Sequence, residues 1–515
     1  MLHQILFRQV VALTGAHLSP LVFAVVGCIL TRAFYLLYLH PLASFPGPRR
    51  AALSTWWLYS VSRSGCADQV FEDLHRKYNT RALRISPNEI HISDSSLYQT
   101  IYSQDQTFLK HSYFYAGFGT PHTAVVETDR ALHRQRRKKM SHFFSKTSVR
   151  AMHHLLYDKV DRLCTVIAGM SDKGPLNIYN AARCMTVDII SDLGFGQSFD
   201  LMGQVKEPNF EADFLQAFDL VVTTLWNRMY LPPLQFIMTV VPPSLTIGMG
   251  GPLGAMARLL MTIRGAVSTF QTARATGKSM CHKVLFDGLS DLDQDELNAE
   301  AADVLVAGAD TTATTLAVAI NLLTANPKPY EALKREVRQA SLKSVEDFEL
   351  TSLERLPYLV CTPSMACVKE SLRLQTPIPG RLPRIVPDSG SGAAPLVVDG
   401  KVIPPGTVVG ISASSVHHDT AIWGPDVREF KPERWLGPEA RQLDKYLVSF
   451  SKGARQCLGS NLAYAELALA LAMFTTRFDF TRDETMTPRD VEIFDGFVIG
   501  FRGSGPRVRV SVRDP

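Results

Sequence analysis

Phe450-Ser-Lys-Gly453-Ala-Arg455-Gln-Cys457-Leu-Gly459 is the stretch on which the reading of this 515-residue chain turns. A helical run, Ser460-Asn-Leu-Ala-Tyr-Ala-Glu466-Leu-Ala-Leu, follows at once. One cysteine therefore sits in a glycine-bracketed turn at the start of a helix, two residues after an arginine. That position favours the thiolate. A helix N-terminus and a nearby cation both lower a cysteine pKa, and free backbone N–H groups can bond the sulfur. The glycines let the backbone pass close to a large flat ligand where a Cβ would clash. Phe450 covers the sulfur side and limits water. A sheltered thiolate of this kind suits an axial ligand of iron in a flat macrocycle. A lone cysteine is more often a buried structural one, but ten residues in this pattern outweigh that reading.

The pattern Phe-x-x-Gly-x-Arg-x-Cys-x-Gly is matched at every fixed position, and on it the chain resembles the cytochrome P450 superfamily. The resemblance implies haem b, with Cys457 as the thiolate ligand of its iron. It also implies a mainly α fold with small β-sheets (α+β), one large haem domain behind an N-terminal membrane anchor.

Leu297 to Ala325 reads as the body of one long helix, periodic from Asp295 and stopped by Asn326-Pro327. Inside it lies Ala307-Gly308-Ala309-Asp310-Thr311-Thr312. An interior glycine costs about 1 kcal/mol and adjacent threonines add χ1 strain, so the segment is there for something other than helix propensity. A threonine hydroxyl can bond the carbonyl one turn back and open the ladder. Small residues there leave room for dioxygen and water over a flat cofactor, and an acid beside a hydroxyl can pass protons inward. A helix cap or a packing kink is the plainer alternative. By the resemblance, Asp310 and Thr311 are the catalytic pair: Asp310 relays protons from solvent and Thr311 steadies the reacting oxygen and its water.

Glu370-Ser-Leu-Arg373 puts a carboxylate and a guanidinium three apart on one helical face. Most such pairs are solvated bridges worth under about 1 kcal/mol. The resemblance implies instead a buried pair that also bonds Arg434 of Phe430-Lys-Pro-Glu-Arg434-Trp435 and supports the cysteine loop. Haem propionates call for cations. Arg455, Arg384 and Arg137 match family positions for that role, while His133 stands where many members have Trp. Arg381 reads as structural. The run Arg134, Arg136, Arg137, Lys138, Lys139 reads as a solvated or lipid-facing helix face, or as a dock for an acidic flavoprotein. By family position the pocket takes Tyr113, Phe114, Tyr115 and Phe118 from one loop. Val304, Ala307, Ile378, Pro379, Phe494, Phe497 and Val498 complete it, and all suit a lipophilic substrate.

With 46% hydrophobic and 20% charged residues, and no repeat or low-complexity linker, the chain reads as one large globular unit behind an N-terminal segment. A net charge of +5 is too mild to argue for nucleic acid, and none is expected as a partner. Eight scattered cysteines without a Cys-x-x-Cys pair exclude a secreted disulfide framework. Val10 to Leu30 is apolar over about the ~20 residues that a spanning helix needs. Arg32 is expected at its cytoplasmic edge, with Ala33–Leu39 in the interface. A cleaved signal peptide fits worse, since no cleavage site precedes Pro46 convincingly. Arg32, Arg49 and Arg50 follow the span against Arg8 before it, which places the body in the cytoplasm. The expected divisions are 1–39 (membrane anchor), 40–50 (Pro-rich hinge) and 51–515 (haem-thiolate domain). Arg81 to Ser93 reads as a hairpin, and Asn177–Leu193, Tyr330–Ala340 and Thr362–Leu374 as helices. The proline-broken Leu225 to Pro243 is either buried core or a segment that dips into the membrane.

Gly380-Arg-Leu-Pro-Arg-Ile-Val-Pro387, the cysteine loop and Asn461-Leu-Ala-Tyr-Ala-Glu-Leu467 resemble most closely the fungal microsomal members related to trichodiene oxygenase. That resemblance implies a monooxygenase of the endoplasmic reticulum membrane, single-pass, with its catalytic domain cytoplasmic. It would insert one atom of dioxygen into a lipophilic secondary metabolite. A terpenoid is the expected substrate, with polyketides and alkaloids as alternatives. Electrons would come from NADPH through NADPH–cytochrome P450 reductase, with cytochrome b5 a second donor that the resemblance admits without requiring. A haem-thiolate isomerase or dehydratase would work without reductase and commonly lacks the acid–threonine pair, which is intact here. A haem sensor would want a signalling domain, and none is visible.

Overall fold

A computed structural model of the chain describes residues 22–231, 240–277, 282–356, 358–359, 365–388, 390 and 392–513. Helix α1 (Val22–Leu39) is apolar, with a mean hydropathy of 2.0 and only 6% of it buried, compatible with a membrane anchor. It is continuous across Arg32, the residue expected at the cytoplasmic edge of the membrane. Arginine is a good helix former, so the helix runs on through Ala33–Leu39 and ends only at His40, which Pro41 forces into extended backbone (φ −64°, ψ 142°). Residues 10–21 of the expected span lie outside the described residues. Leu42 and Phe45 of the Pro-rich segment are buried under a sheet, and Arg84 N–H donates to the Pro46 carbonyl at 2.7 Å.

Helix α2 (Ala67–Tyr78) leads into β1 (Ala82–Ser86) and β2 (Glu89–Ile92), the antiparallel hairpin expected over Arg81–Ser93. With β3 (Leu109–Lys110), β4 (Arg384–Ile385) and β5 (Val408–Gly410) they form one sheet in the order β1-β2-β5-β4-β3, where only β2–β5 is parallel. Helix α3 (Arg130–Ser141) starts at Asp129, whose side chain caps the N–H groups of Ala131 and Leu132. Helix α4 (Ile178–Phe195) is capped by Asn177 and closed by Gly196 in the left-handed region. Both ends fall within two residues of the sequence expectation. A short helix α5 (Leu225–Tyr230) buries Trp226; residues 232–239 of the same proline-broken stretch lie outside the described residues.

Helix α6 (Gln294–Ala325) runs 32 residues from an Asp293 cap to Asn326. It is long and apolar enough to cross a membrane, but 67% of its most apolar 18-residue window is buried, so it is the central core helix. Helix α4 lies along it. At Gly308 a Cβ would stand 2.6 Å from Ile190 Cγ1 of α4, so glycine is what lets the two backbones approach. Helix α7 (Pro327–Gln339) follows with proline in its first turn. Helix α8 (Ala366–Leu374) and helix α9 (Ser460–Arg477) complete the helical core. Residues 362–364 of the expected Thr362–Leu374 helix lie outside the described residues. A hairpin of β6 (Ile493–Asp495) and β7 (Ile499–Phe501) closes the C-terminal end of the body.

Candidate active site

The cysteine loop is shaped by glycine at Gly453, where φ is +73° and a Cβ would collide with the carbonyl oxygens of Tyr102 and Ser103. A short 3-10 turn over Gly453–Arg455 follows, and Cys457 N–H closes the loop onto the Phe450 carbonyl at 2.8 Å. Phe450 packs against Tyr464 of α9, ring centres 5.0 Å apart. Cys457 is exposed, yet the surrounding protein pushes its thiol up. The N–H groups of Gly459 and Ser460 and the Arg137 guanidinium oppose that shift. The sequence expected Arg455 to be the cation beside the sulfur. At the end of its 3-10 turn Arg455 instead faces away, with Nε donating to Gln106 Oε1 at 2.7 Å and Nη1 to the Glu127 carbonyl at 2.6 Å. Arg137 takes that place and donates to the Gln456 carbonyl at 2.7 Å.

Strands β3 and β4 are two residues long each, and their register sets Lys110 directly opposite Arg384. Like charges across a strand pair destabilise it, so an anion is the natural third member. The charges of Arg384, Arg455 and Arg137 all depress the Lys110 ammonium, as burial does first. The same three arginines and Lys110 hold His133 down at about 3, after burial. His133 Nδ1 is buried without a hydrogen-bond partner among the described residues. Arg384 is braced by the Tyr115 hydroxyl at 2.8 Å and lies over the Tyr102 ring. Four cations and an unsatisfied imidazole thus converge on one place. That donor set fits a group carrying two carboxylates.

In α6 the Thr311 hydroxyl donates to the Ala307 carbonyl at 2.8 Å, as the sequence led one to expect. The ladder does not open: α6 is continuous through this point. Ala307 is exposed in the middle of a mostly buried helix. Asp310 is buried and bound by Arg183 at 2.9 Å and by the Tyr179 hydroxyl at 3.1 Å. Burial pushes its carboxyl up, and Arg183 pulls it back. Arg183 reaches on to Asp219 at 2.6 Å, whose side chain is 56% exposed, so an acid at the surface is linked to the acid in the helix.

The family model described as Cytochrome P450 matches residues 46–502. The chain belongs to the cytochrome P450 family. Among its relatives, the cytochrome P450 monooxygenase aneF of Aspergillus aculeatus is 31% identical over 88% of this chain and 91% of its own. The monooxygenase tpcC of Cochliobolus heterostrophus is 34% identical over 86% of this chain and 85% of its own. MO6277 of Ascocoryne sarcoides is 30% identical over 96% and 99%. The chain is accordingly an oxygen-incorporating oxidoreductase of haem-thiolate type.

The P450 residues fit haem. Cys457 is the accessible sulfur at a helix N-terminus, and Lys110, Arg384, Arg455 and Arg137, with the unpartnered His133 Nδ1 beside them, are the residues that would meet two propionates. The supporting triad is assembled as the resemblance implied. Glu370 and Arg373 are fully buried and paired at 2.8 Å, and Arg434 Nε donates to Glu370 at 3.2 Å. Trp435 Nε1 adds a further donor at 3.0 Å. Arg381 is held by Glu89 and by the Tyr230 hydroxyl, a structural position. Of the basic run on α3, Arg136 is spent on Glu296 and Lys139 on Asp291, while Arg134 and Lys138 are exposed. Phe114, Phe118 and Phe497 meet in one aromatic cluster with Trp226. Sequence reading missed Lys110, because only the register of two very short strands reveals its neighbour.

Proposed function

We propose that this P450 inserts one oxygen atom from dioxygen into a lipophilic secondary metabolite, a terpenoid in the first instance, with electrons from NADPH delivered by NADPH–cytochrome P450 reductase. The observation that carries the reading is the intact acid–hydroxyl pair, Asp310 linked through Arg183 to the surface carboxylate of Asp219, beside Thr311. An isomerase or dehydratase has no use for such a path. The named monooxygenases of fungi among the relatives support the same chemistry.

Haem, bound at Cys457, supplies the oxygen-activating redox chemistry. The chain's own side chains do the rest. Thr311 gives its hydrogen to Ala307, so its lone pairs are what it offers to a water or a reacting oxygen in the pocket. Burial pushes the Asp310 carboxyl up while Arg183 holds it down, so turning from Arg183 eases its protonation and lets it take up a proton from the solvent side at Asp219 and pass it inward. Phe114, Phe118, Phe497 and Trp226 exclude water and orient an apolar substrate by shape. Arg134 and Lys138 suit an acidic reductase face, and α1 a membrane, here the endoplasmic reticulum, with the body cytoplasmic.

Microsomes holding this protein and a reductase are fed an extract of fungal metabolites under isotopically labelled dioxygen, with and without NADPH. A product that needs NADPH and carries the label is expected. A product formed without either supports the isomerase and overturns the proposal. A labelled product with a polyketide or alkaloid skeleton keeps the chemistry and replaces the terpenoid.

A further inference from the structure

A chain of hydrogen bonds crosses the body beside the five-stranded sheet, and none of its members belongs to the site described above. It starts at the Thr80 carbonyl, 2.7 Å from His75 Nδ1. His75 Nε2 lies 2.8 Å from His91 Nδ1, and His91 Nε2 lies 2.9 Å from Ser412 Oγ. Ser412 Oγ lies 2.8 Å from Asp68 Oδ1. His75 and Asp68 are on α2, His91 is on β2, and Ser412 follows β5; both imidazoles and Ser412 are buried.

Proton counting fixes the direction of this chain. A carbonyl only accepts, so His75 Nδ1 carries a hydrogen, and Ser93 Oγ at 3.3 Å can only accept from it too. A neutral imidazole has one N–H. His75 Nε2 must then accept from His91 Nδ1, and His91 Nε2 must accept from the Ser412 hydroxyl. Ser412 has no hydrogen left for Asp68, so Asp68 must itself donate, as a protonated acid. Every other consistent filling needs an imidazolium on His75 or His91 together with a carboxylate on Asp68. Burial lowers both histidines and raises Asp68, which disfavours those charged fillings.

Asp68 lines a small cavity together with a second carboxyl, that of Asp495. Asp68 Oδ2 is buried with no partner among the described residues. The cavity is about 10 Å³, room for about one water, and its wall also includes Gly380, Arg381 and Phe497. Asp495 Oδ1 accepts the Phe497 N–H at 2.7 Å, and the Asp495 carbonyl accepts Trp226 Nε1–H at 3.0 Å. Phe497 has φ +86°, a strained backbone for a residue with a side chain, and persists only if something holds it. Its ring meets Phe118 edge-on at 5.0 Å and lies 6.2 Å from Phe114.

We propose that Asp495 is the positioning residue that, as an anion, holds Phe497 in the substrate pocket, and that Asp68, kept neutral by the His75–His91–Ser412 chain, is what lets two carboxyls share one cavity. The pocket role of Phe497 rests on the function proposed above; the protonation of Asp68 does not. Two carboxylates side by side repel, whereas one acid and one anion do not. The other charged groups facing the pair are Arg381, itself tied to Glu89 and Tyr230, and Glu72 on α2, with Ser414 beside Asp68. Burial first and Asp68 second push Asp495 up to about 7, while the Phe497 N–H and Arg381 pull it down; a neutral Asp68 removes the second cause, so of the two carboxyls Asp495 ionises the more readily. The pair therefore selects which molecules fit, without touching the reacting atoms.

Infrared difference spectra of the full-length protein, recorded in light and heavy water near neutral pH, read the proton directly and need no haem. In wild-type-minus-variant spectra one protonated-carboxyl C=O component, distinct from those of other buried acids such as Glu300, is expected to be lost in Asp68→Asn and kept in Asp495→Asn. Its absence from the wild type, or its loss in Asp495→Asn instead, overturns the proposal. Ser412→Ala removes the acceptor of that acid hydrogen and should move the band to higher frequency; an unmoved band also overturns it. Optical titration with 4-phenylimidazole reads the pocket. Asp495→Ala is expected to weaken binding about tenfold, with Phe497→Ala adding nothing further on top. Fully additive losses overturn the positioning role. If no variant and not the wild type shows an azole shift, the haem reading has failed, and the infrared arm still decides the proton.

Discussion

Replacing Glu370 by glutamine tests how the cysteine loop is held. Glu370 accepts from Arg373 Nε at 2.9 Å and Nη2 at 2.8 Å, from Arg434 Nε at 3.2 Å, from Trp435 Nε1 at 3.0 Å and from Lys431 N–H at 3.1 Å. Neither Glu370 nor Arg373 has any exposed side-chain surface. In Glu370→Gln one oxygen becomes an NH₂ facing two guanidiniums, and Arg373 is left as a buried charge without its counter-ion. Breaking a buried pair from one side costs about 3–5 kcal/mol, against roughly 5–15 kcal/mol for a whole fold. The folded-to-unfolded ratio should drop about 10²–10⁴-fold. Urea titration of the full-length protein in detergent, followed by tryptophan fluorescence and by haem retention, measures this. Adding Arg373→Met should recover part of the loss only, because Arg373 also donates to the carbonyls of His417, Val427 and Glu429. A Glu370→Gln midpoint equal to that of the wild type would refute the reasoning.

Other predictions follow from single contacts. Glu300 on α6 is pushed up to about 7 by burial first and Asp303 second, from an ordinary 4.5. The folded state therefore binds the extra proton, so this contribution to stability is complete below pH 4.5 and is lost as pH rises through 7. Glu300→Gln should be the more stable protein by up to ~3 kcal/mol at about pH 8, with the two converging in acid; equal midpoints at both pH values would contradict this. Gly308→Ala should destabilise by about 1–3 kcal/mol through its clash with Ile190, and Ile190→Ala in the same chain should restore most of it, read as thermal midpoints. Gly453→Ala forces the loop off the Tyr102 and Ser103 carbonyls and should cut haem per protein, measured by haemochrome assay; unchanged content would show that the loop tolerates a Cβ.

Much of the architecture could be read from the chain because it is written in local patterns. The cysteine loop, the long α6 with its Asn-Pro stop, the hairpin at Arg81–Ser93 and the Glu370–Arg373 spacing are all set by neighbours in sequence. What escaped was set across space. Arg455 turns away from Cys457 because Gln106 and the Glu127 carbonyl, both distant in sequence, accept its hydrogens. Lys110 meets Arg384 through a pairing of two-residue strands too short to announce themselves. The chain from His75 to Asp68 joins a helix, a strand and a loop through side chains that look unremarkable one by one. At the N-terminus the charge of Arg32 does not end α1; Pro41 does.

The central claim is that Cys457 binds haem iron as a thiolate, and the carbon monoxide difference spectrum of the reduced protein tests it most directly. Wild type and Cys457→His are purified in parallel and their Soret bands compared. The account predicts the strongly red-shifted band of a thiolate-ligated haem in the wild type, and in Cys457→His either no haem or the shorter-wavelength band of imidazole ligation. A wild-type band at the imidazole position, or one that Cys457→His leaves unmoved, would contradict it.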